Sequence, residues 1–318
     1  MPESKNGVVI VTYNRLELLK ECLDAVRSQT IPFTNIIVVN NCSSDGTREY
    51  LEQCSDPELL VLHQEENLGG AGGFYEGLQE ARKLALDWVL LIDDDAMIAP
   101  DYMEQLLTKK EEWESRGEQK ICALAGSVRI DGQIDLSHRR RVSNGLLFWE
   151  RFVSEKEYQS KTGHPPTCDC ATFCGLVIRG SVIEEIGLPK KEYFLWYDDV
   201  EYCLRLRKRG GIRLVKEAVL NHKTVASREG MVIKGLLQRI GWRQYYGYRN
   251  RYDTARIHFG PWSAFFVALE YHVLAFCSRC MACRKSTREK GRYNVTLIHD
   301  ALRDGKQGVL GKHADYHP

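Results

Sequence analysis

Four short runs of apolar residues alternate with amphipathic segments in the first hundred residues of the chain. The runs lie at residues 8–11, 36–39, 59–62 and 88–92. Continuous apolar runs of this length are typical of strands that are buried on both faces. Because they alternate with helical segments, they predict a β-α-β series with a parallel sheet and right-handed crossovers. Ligands in such sheets bind beyond the carboxyl ends of the strands.

The pattern becomes mixed beyond residue 100. Helices are predicted over residues 101–115 and 199–209, and strands over residues 121–128 and 173–178. Residues 129–168 are polar and poorly periodic, which indicates loops and short strands. From Lys234 onward, aromatic and basic residues interleave at helical spacing. We therefore predict an α/β domain over residues 1–225 and a mainly helical subdomain over residues 226–318.

Charge is divided unevenly between these two parts. Residues 226–318 hold 16 Lys and Arg against 7 Asp and Glu, whereas residues 1–225 hold 28 against 36. A basic segment of this kind favours phosphate groups or an anionic membrane surface as its partner. The apolar run at 261–277, interrupted by Glu270 and His272, is too short and too polar to predict a membrane span. It is apolar enough to lie at an interface, so we expect a peripheral contact with a membrane.

Nucleic-acid binding is the competing interpretation of the basic segment. Its side chains would be Arg239, Trp242, Arg243, Tyr245, Tyr246, Arg249 and Arg251. Such binding would show a steep salt dependence. The apolar run that follows favours the membrane, and we predict no nucleic-acid partner.

Three adjacent carboxylates, Asp93, Asp94 and Asp95, follow the fourth apolar run; we call them the aspartate triplet. If side chains alternate at this strand end, Asp93 and Asp95 point to one side and Asp94 to the other. Two convergent carboxylates at a strand end form a hard-oxygen site for Mg²⁺ or Mn²⁺ that holds a diphosphate. The alternative is a solvated acidic turn. A cation would remove the repulsion among three like charges, which favours the metal.

A glycine-rich segment lies between the third and fourth runs. Residues 67–73 read Asn-Leu-Gly-Gly-Ala-Gly-Gly, so Asn67, Gly69, Gly70 and Gly73 are candidates for binding an anionic ligand. Glycines let a backbone approach a ligand closely, and a helix that starts here offers free N–H groups to an anion. The spacing is neither that of a dinucleotide-binding loop nor that of a P-loop. A flexible hinge is the alternative.

A second acidic cluster, at residues 192–201, follows a run of aromatic residues. Aromatic rings such as Trp196 and Tyr197 can stack on a sugar of the acceptor, and they raise the basicity of a neighbouring carboxylate. Asp199 would then be a general base, with Asp198 or Glu201 positioning it or the acceptor. Helix capping by the same acids is the competing interpretation, and both roles are compatible.

His222 and the cysteines complete the candidates. His222 follows a short strand-like segment and could complete the metal site as a neutral imidazole.

The eleven cysteines are scattered, which favours reduced thiols. A metal site at Cys277, Cys280 and Cys283 is disfavoured because no fourth ligand follows at a normal spacing. The N-terminus lacks a signal-peptide pattern, so we expect a cytoplasmic protein at the inner face of the cell membrane.

Together these motifs resemble the family 2 glycosyltransferases of the GT-A fold, a Rossmann-like, mostly parallel α/β sheet that binds nucleotide-diphospho-sugars. The resemblance covers roughly residues 6–225 and is carried by residues 11–15, 38–47 and 67–74, the aspartate triplet and residues 196–201. Within the family, the glycine-rich and Asp-Asp-Val-Glu motifs are most similar to those of bacterial galactofuranosyltransferases, followed by rhamnosyltransferases.

The resemblance implies roles for individual residues. Those that would contact the nucleotide are Thr12, Asn14, Arg15, Asn41 and Asp45. Asp93, Asp95 and His222 would hold Mn²⁺ or Mg²⁺, and Asp199 would be the base. Asp94 would lie near the nucleotide sugar, although family triplets often carry another residue at this middle position.

The implied reaction is an inverting, metal-dependent transfer from a nucleotide-diphosphate sugar to a glycan or lipid-linked acceptor of the cell surface. Galactofuranose from UDP-galactofuranose is the first choice, and rhamnose from dTDP-rhamnose is the alternative. A module that binds nucleotide sugars without turnover is a third interpretation. The sequence leaves a homo-oligomer open.

Overall fold

The computed structural model describes residues 4–118, 121–158, 165–223, 240–283 and 285–317. Its contacts divide the chain into two compact units. The second unit combines Val142–Glu150 and Glu192–Asp198 with the C-terminal residues, and the first unit contains the remainder. The predicted boundary at 225/226 and the predicted onset of helical spacing at Lys234 lie outside the described residues.

The first part of the chain forms the predicted β-α-β series. Its elements are β1 (Asn6–Thr12), α1 (Leu16–Arg27), β2 (Asn35–Asn40), α2 (Thr47–Glu52), β3 (Leu59–His63), α3 (Gly69–Lys83) and β4 (Trp88–Asp93). The strands pair in parallel in the order β3-β2-β1-β4. The order reverses between β1 and β4, because the chain adds β2 and β3 on one side of β1 and then returns to the other. Such a reversal is where open α/β sheets place their ligands.

Alternate residues of β1 face two different helical layers. Val8 and Ile10 belong to the same buried cluster as Leu19 and Leu23 of α1. Val9 contacts the other layer, formed by α3. Both faces of β1 are therefore covered, which explains why its sequence is apolar without alternation.

Between β4 and His222 the chain adds a mixed extension to this sheet and a separate three-stranded sheet, which is formed by the strands Arg139–Asn144, Trp149–Phe152 and Cys170–Ala171. The following elements are β5 (Ala96–Ile98), α4 (Tyr102–Ser115), β6 (Ala123–Ile130), β7 (Gln133–Ile134), β8 (Arg139–Asn144), β9 (Trp149–Phe152), α5 (Glu155–Tyr158), β10 (Thr167–Cys168), β11 (Cys170–Ala171), β12 (Leu176–Arg179), α6 (Gly180–Ile186), α7 (Asp198–Arg207) and β13 (Ile212–His222). Strand β12 lies antiparallel between β4 and β6, and β13 lies parallel to β6. Strand β13 also pairs with β5, which places His222 opposite Ala96, the residue after the triplet.

The C-terminal residues are helical, as predicted. Helices α8 (Arg243–Phe259), α9 (Pro261–Ala282) and α10 (Arg288–Gln307) pack against one another. Their aromatic core includes Tyr245, Tyr246 and Tyr316, together with Phe194 from the short segment before α7. Many of the aromatic residues of the basic segment are therefore buried in this unit.

Candidate active site

The aspartate triplet lies at the switch point, where β4 ends beside β1. Asp94 accepts hydrogen bonds from Thr12 Oγ1 at 2.8 Å and from Arg15 Nη1 at 3.2 Å, and Asp95 accepts one from Arg15 Nη1 at 2.7 Å. The predicted alternation across the triplet is wrong. The strand ends at Asp93 and a turn follows, so Asp94 and Asp95 converge on the same guanidinium group.

His222 joins the triplet from β13. Its Nε2 atom lies 3.2 Å from Oδ1 of Asp95, and the backbone N–H of Lys223 donates to the carbonyl of Asp95 at 2.9 Å. The ring of His138 packs edge-on against His222, with 5.3 Å between the ring centroids, and its Nδ1 lies 2.8 Å from Thr172 Oγ1. Sequence reasoning missed His138, because it lies in the aperiodic stretch at 129–168.

Burial and mutual repulsion disfavour full ionisation of the triplet. Burial raises the pKa of Asp93 to about 7, and the charges of Asp95 and Asp94 add to this effect. Burial also raises the pKa of Asp94 to about 6, against the opposing charge of Arg15. Burial acts against the charge of Arg15, yet Asp94 and Asp95 raise its pKa. The site therefore favours added positive charge.

The donor atoms here fit a small divalent cation. The Asp95 carboxylate and the His222 imidazole face each other at a distance that one shared ion could bridge, and both groups are ligands that Mn²⁺ accepts. Among the described residues, no group of three His, Cys, Asp or Glu side chains is arranged to hold a metal. Ions of this kind are commonly bound by one or two protein ligands together with substrate phosphates. The pair at Asp95 and His222 fits that mode of binding.

The loop after β1 and the loop after β2, both predicted to bind the nucleotide, are joined by hydrogen bonds. Asn14, in the left-handed region with a φ of 53°, accepts a hydrogen bond from the backbone N–H of Ser44 at 2.7 Å. Asp45 contacts the start of α1, because the helix begins at Leu16 and the Leu16 N–H donates to Asp45 Oδ2 at 2.9 Å. Asp45 also accepts from the Thr47 hydroxyl at 2.6 Å.

The buried side chain of Asn41 is hydrogen-bonded to Asn67 and to the backbone at the start of α3. Asn41 Nδ2 donates to Asn67 Oδ1 at 3.1 Å and to the carbonyl of Gly69 at 3.0 Å, and Asn41 Oδ1 accepts from the Leu68 N–H at 2.9 Å. The structure gives both side chains a local structural role. A contact with the nucleotide stays a prediction.

The glycine-rich segment is mostly helix. Residues 69–73 form the first turns of α3, where the sequence indicated a loop leading into a helix. A Cβ atom at Gly73 would lie 2.5 Å from Val11 Cγ1, so this glycine allows α3 to pack closely on β1. At Gly70, by contrast, no atom of the described residues lies within 4 Å of such a Cβ, so there is open space beside this glycine.

The second acidic cluster begins α7. Asp199 accepts a hydrogen bond from the Val200 N–H at 2.7 Å, a contact at the helix start. Glu201 is buried and paired with Arg205 at 2.8 Å, one helical turn later. This pairing gives Glu201 a structural role that sequence reasoning did not foresee.

Residues Glu192–Asp198, which end at the first residue of α7, belong to the second unit. Asp198 is buried, while the side chain of Trp196 is 41% exposed. The hydroxyl of Tyr197 donates to Glu150 Oε2 at 2.8 Å. Trp196 therefore offers the exposed aromatic surface that acceptor stacking would need, whereas the polar end of Tyr197 is engaged within the unit.

Comparisons with known proteins identify the family of the chain. A family model described as glycosyl transferase family 2 matches residues 7–185. Galactofuranosyltransferase GlfT1 of Mycolicibacterium smegmatis is 32% identical over 206 residues, which cover 64% of this chain and 65% of that protein. The N-acetylglucosaminyl-diphospho-decaprenol L-rhamnosyltransferase of Mycobacterium tuberculosis is 25% identical over 237 residues, covering 68% of this chain and 75% of that protein.

The fold is shared with a solved glycosyltransferase. The crystal structure of GalNAc-T7 with UDP, GalNAc and Mn²⁺ superposes with a TM-score of 0.61 at 14% identity, covering 97% of this chain and 57% of that one. This likeness confirms the predicted GT-A fold. Since the family match also covers more than half of the 318 residues, the chain belongs to glycosyl transferase family 2.

Proposed function

We propose that the protein transfers galactofuranose, with inversion, from UDP-galactofuranose to a growing cell-surface glycan or lipid-linked acceptor. The observation that carries the proposal is the contact between Asp95 and His222 at the switch point of the sheet. A diphosphate and its cation would bind at such a place in an open α/β sheet. The similarity to GlfT1 favours galactofuranose as the sugar.

Asp95 and His222 would hold the cation, Mn²⁺ or Mg²⁺, together with the substrate phosphates; Asp93, the third ligand expected from the sequence, stays a prediction. The bound ion would neutralise the charge that grows on the departing diphosphate. Arg15 lies against Asp94 and Asp95, so it would add a fixed positive charge beside that diphosphate. Thr12, Asn14, Asn41, Asp45, Asn67 and the glycines 69, 70 and 73 would line the nucleotide sugar.

The acceptor side of the reaction would depend on the residues around the start of α7. Inversion requires a single displacement at the anomeric carbon, with a base on the face opposite the leaving group. Asp199 would take the proton of the attacking hydroxyl. Trp196 and Tyr197 would place the acceptor sugar by stacking, and Asp198 is the competing choice of base.

A panel of nucleotide sugars tests the assignment of the donor. Hydrolysis of each donor is measured with Mn²⁺ and with EDTA, and transfer is then measured with lipid-linked acceptors. We expect UDP-galactofuranose to be consumed fastest and only with the metal. Faster use of dTDP-rhamnose would assign the rhamnosyl reaction instead, which the second relative supports. If the protein binds donors but consumes none, it is a module without turnover.

We also propose that α9 contacts a membrane surface. Five of its apolar side chains are between 47% and 68% exposed: Trp262, Phe265, Leu269, Val273 and Phe276. Their spacing of three or four residues places them along one face of the helix. In the part of the chain that the structure describes, α9 is the one helix that is long and apolar enough to cross a membrane by length and composition, contrary to the expectation from the sequence that this run is too short and too polar for a span.

The packing of α9 favours a surface contact over a crossing. The face opposite the apolar stripe, including Val267 and Tyr271, is buried against neighbouring helices. Exposed basic residues follow the stripe: Arg279, Lys285, Arg288, Lys290 and Arg292. An apolar face beside basic side chains is typical of helices that lie in the interface of an anionic bilayer.

A further inference from the structure

The segment that leads into α7 has an unusual backbone. Phe194, Trp196 and Tyr197 have φ angles of 61°, 64° and 67°, in the left-handed region that residues other than glycine rarely adopt. We call residues 193–197 the strained segment. A conformation of this kind persists only where its surroundings hold it. Because Asp198 and Asp199 follow directly, the contacts that hold this segment also set where α7 begins.

Helix α8 supplies the hydrogen bonds that hold the segment. Asn250 Nδ2 donates to the carbonyls of Tyr193 at 3.0 Å, Leu195 at 3.0 Å and Trp196 at 2.8 Å. Arg249 Nη2 donates to the carbonyl of Tyr193 at 3.2 Å, and Arg249 Nε donates to Asn250 Oδ1 at 3.0 Å. Both α8 side chains are almost fully buried.

Two further α8 residues contact the same segment. The hydroxyl of Tyr193 donates to Asp253 Oδ2 at 2.9 Å and lies 3.0 Å from Thr254 Oγ1. Positions 249, 250, 253 and 254 share one face of a helix. Buried polar groups are costly unless they are hydrogen-bonded. The buried polar side chains on this face of α8 are therefore hydrogen-bonded to the strained segment.

We propose that Asn250 is a positioning residue for the acceptor step. Its amide holds three backbone carbonyls of the strained segment, and through them it sets the direction of Trp196 and of Asp198. The inference rests on the proposed function, in which Trp196 places the acceptor. Asn250 acts through Trp196, and we expect donor binding at the aspartate triplet not to depend on it.

The test compares transfer with donor hydrolysis in matched variants. Asn250→Asp keeps the size of the side chain and its oxygen for Arg249, but it removes every N–H donor. We expect the ratio of transfer to acceptor-independent hydrolysis to fall by about 10- to 100-fold, because small misplacements of reacting groups cost rates of this order. The Kd of UDP should stay within about twofold. Tyr245→Phe removes a buried α8 hydroxyl that bonds Asp304, and it should leave the ratio unchanged.

A second variant guards against a failure of Asn250→Asp to fold. A Cβ atom at Gly247 of α8 would lie 3.0 Å from Trp196 Cε3, so Gly247→Ala should displace Trp196 while it favours the helix. It should lower the same ratio, and Asn250→Gln, which keeps an amide donor, should restore part of it relative to Asn250→Asp.

A fluorescence measurement separates this inference from the proposed function. Acrylamide quenching of Trp196, obtained by difference from a Trp196→Phe protein, should change in Asn250→Asp and in Gly247→Ala. If the wild-type protein transfers no sugar, the proposed function fails, while the quenching still tests the positioning. The inference is overturned if Trp196 quenching is unchanged in both variants, or if the transfer ratio matches wild type in both.

Discussion

Asp94 and Asp95 both contact the guanidinium group of Arg15, and this shared contact sets the balance of charge at the switch point. Arg15 contacts both carboxylates, while His222 lies against the second. Without further positive charge, burial still holds the pKa of Asp93 at about 7. Arg15 is the one permanent cation described beside these three carboxylates, so the triplet keeps a local excess of negative charge, as expected of a site that binds a cation together with its substrate.

The sequence allowed some of these residues to be predicted. The apolar strand before the triplet predicted that the three aspartates lie at the carboxyl end of a buried strand. The adjacency of three carboxylates predicted that they bind a cation. The contact between Arg15 and the triplet, and the hydrogen bonds made by Asn41, depend on loops that meet only in the folded chain. Contacts between residues distant in sequence leave no local pattern, so the roles of Arg15 and Asn41 could not be derived from periodicity.

Asp199→Asn tests the proposed base. Asparagine can still accept the hydrogen bond from the Val200 N–H through its oxygen, so the start of α7 should be preserved. It cannot take a proton at neutral pH. We expect kcat for transfer to fall by about 10²–10⁴, with the donor Kd near the wild-type value.

Asp198→Asn identifies the base if Asp199 is not the residue. Suppose that Asp199→Asn transfers sugar within about threefold of the wild-type rate, a much smaller loss than a missing base causes, and that Asp198→Asn is inactive. The base would then be Asp198. Activity in both variants would mean that this acidic cluster only caps the helix.

Strand β1 and helix α3 show how packing between elements overrides local propensity. Glycine is a poor helix former, so the glycine-rich segment indicated a loop ahead of its helix. In the structure, close contact between α3 and β1 decides the outcome, and these residues are helical. The strands themselves were predictable because burial on both faces leaves a continuous apolar run.

Gly77→Ala tests this packing. A Cβ atom at Gly77 would lie 2.2 Å from Val9 Cγ1 and 3.2 Å from Val39 Cγ2, both on central strands. We expect the free energy of unfolding to fall by about 1–3 kcal/mol through overpacking, measured by urea denaturation.

Gly70→Ala is the matched control on the same helix. Among the residues that the structure describes, no atom lies within 4 Å of the position that a Cβ atom would take there, and alanine favours a helix over glycine by about 1 kcal/mol. It should leave the free energy of unfolding unchanged or raise it. An equal loss of stability in both variants would contradict the packing account.

At the scale of the whole molecule, the charge asymmetry and the division into two units differ in how far they could be predicted. The basic C-terminal residues and their helical form follow from composition and spacing. The assignment of Val142–Glu150 and Glu192–Asp198 to the same unit does not. Those segments join it through contacts distant in sequence, such as Asn250 with Trp196.

The exposed stripe of α9 predicts binding of the whole protein to anionic vesicles. Phe265→Glu combined with Phe276→Glu should weaken co-sedimentation with phosphatidylglycerol vesicles by at least about tenfold, since each buried phenylalanine contributes roughly 1.5–3 kcal/mol. Val309→Glu changes another exposed apolar residue outside the stripe and should bind as wild type does. Equal binding of all three proteins would remove α9 from the membrane contact.

The most direct measurement of the central claim is calorimetric titration of UDP into wild-type protein and Asp95→Asn, each with Mn²⁺ and with EDTA. Asp95 contacts both Arg15 and His222, so its loss should remove the metal-dependent part of the affinity without unfolding the sheet. We predict that Mn²⁺ tightens UDP binding to the wild-type protein and has no such effect on Asp95→Asn. Asp24→Asn, on the exposed face of α1, should behave as wild type does. A UDP affinity that is the same with and without Mn²⁺ in the wild-type protein would contradict the account.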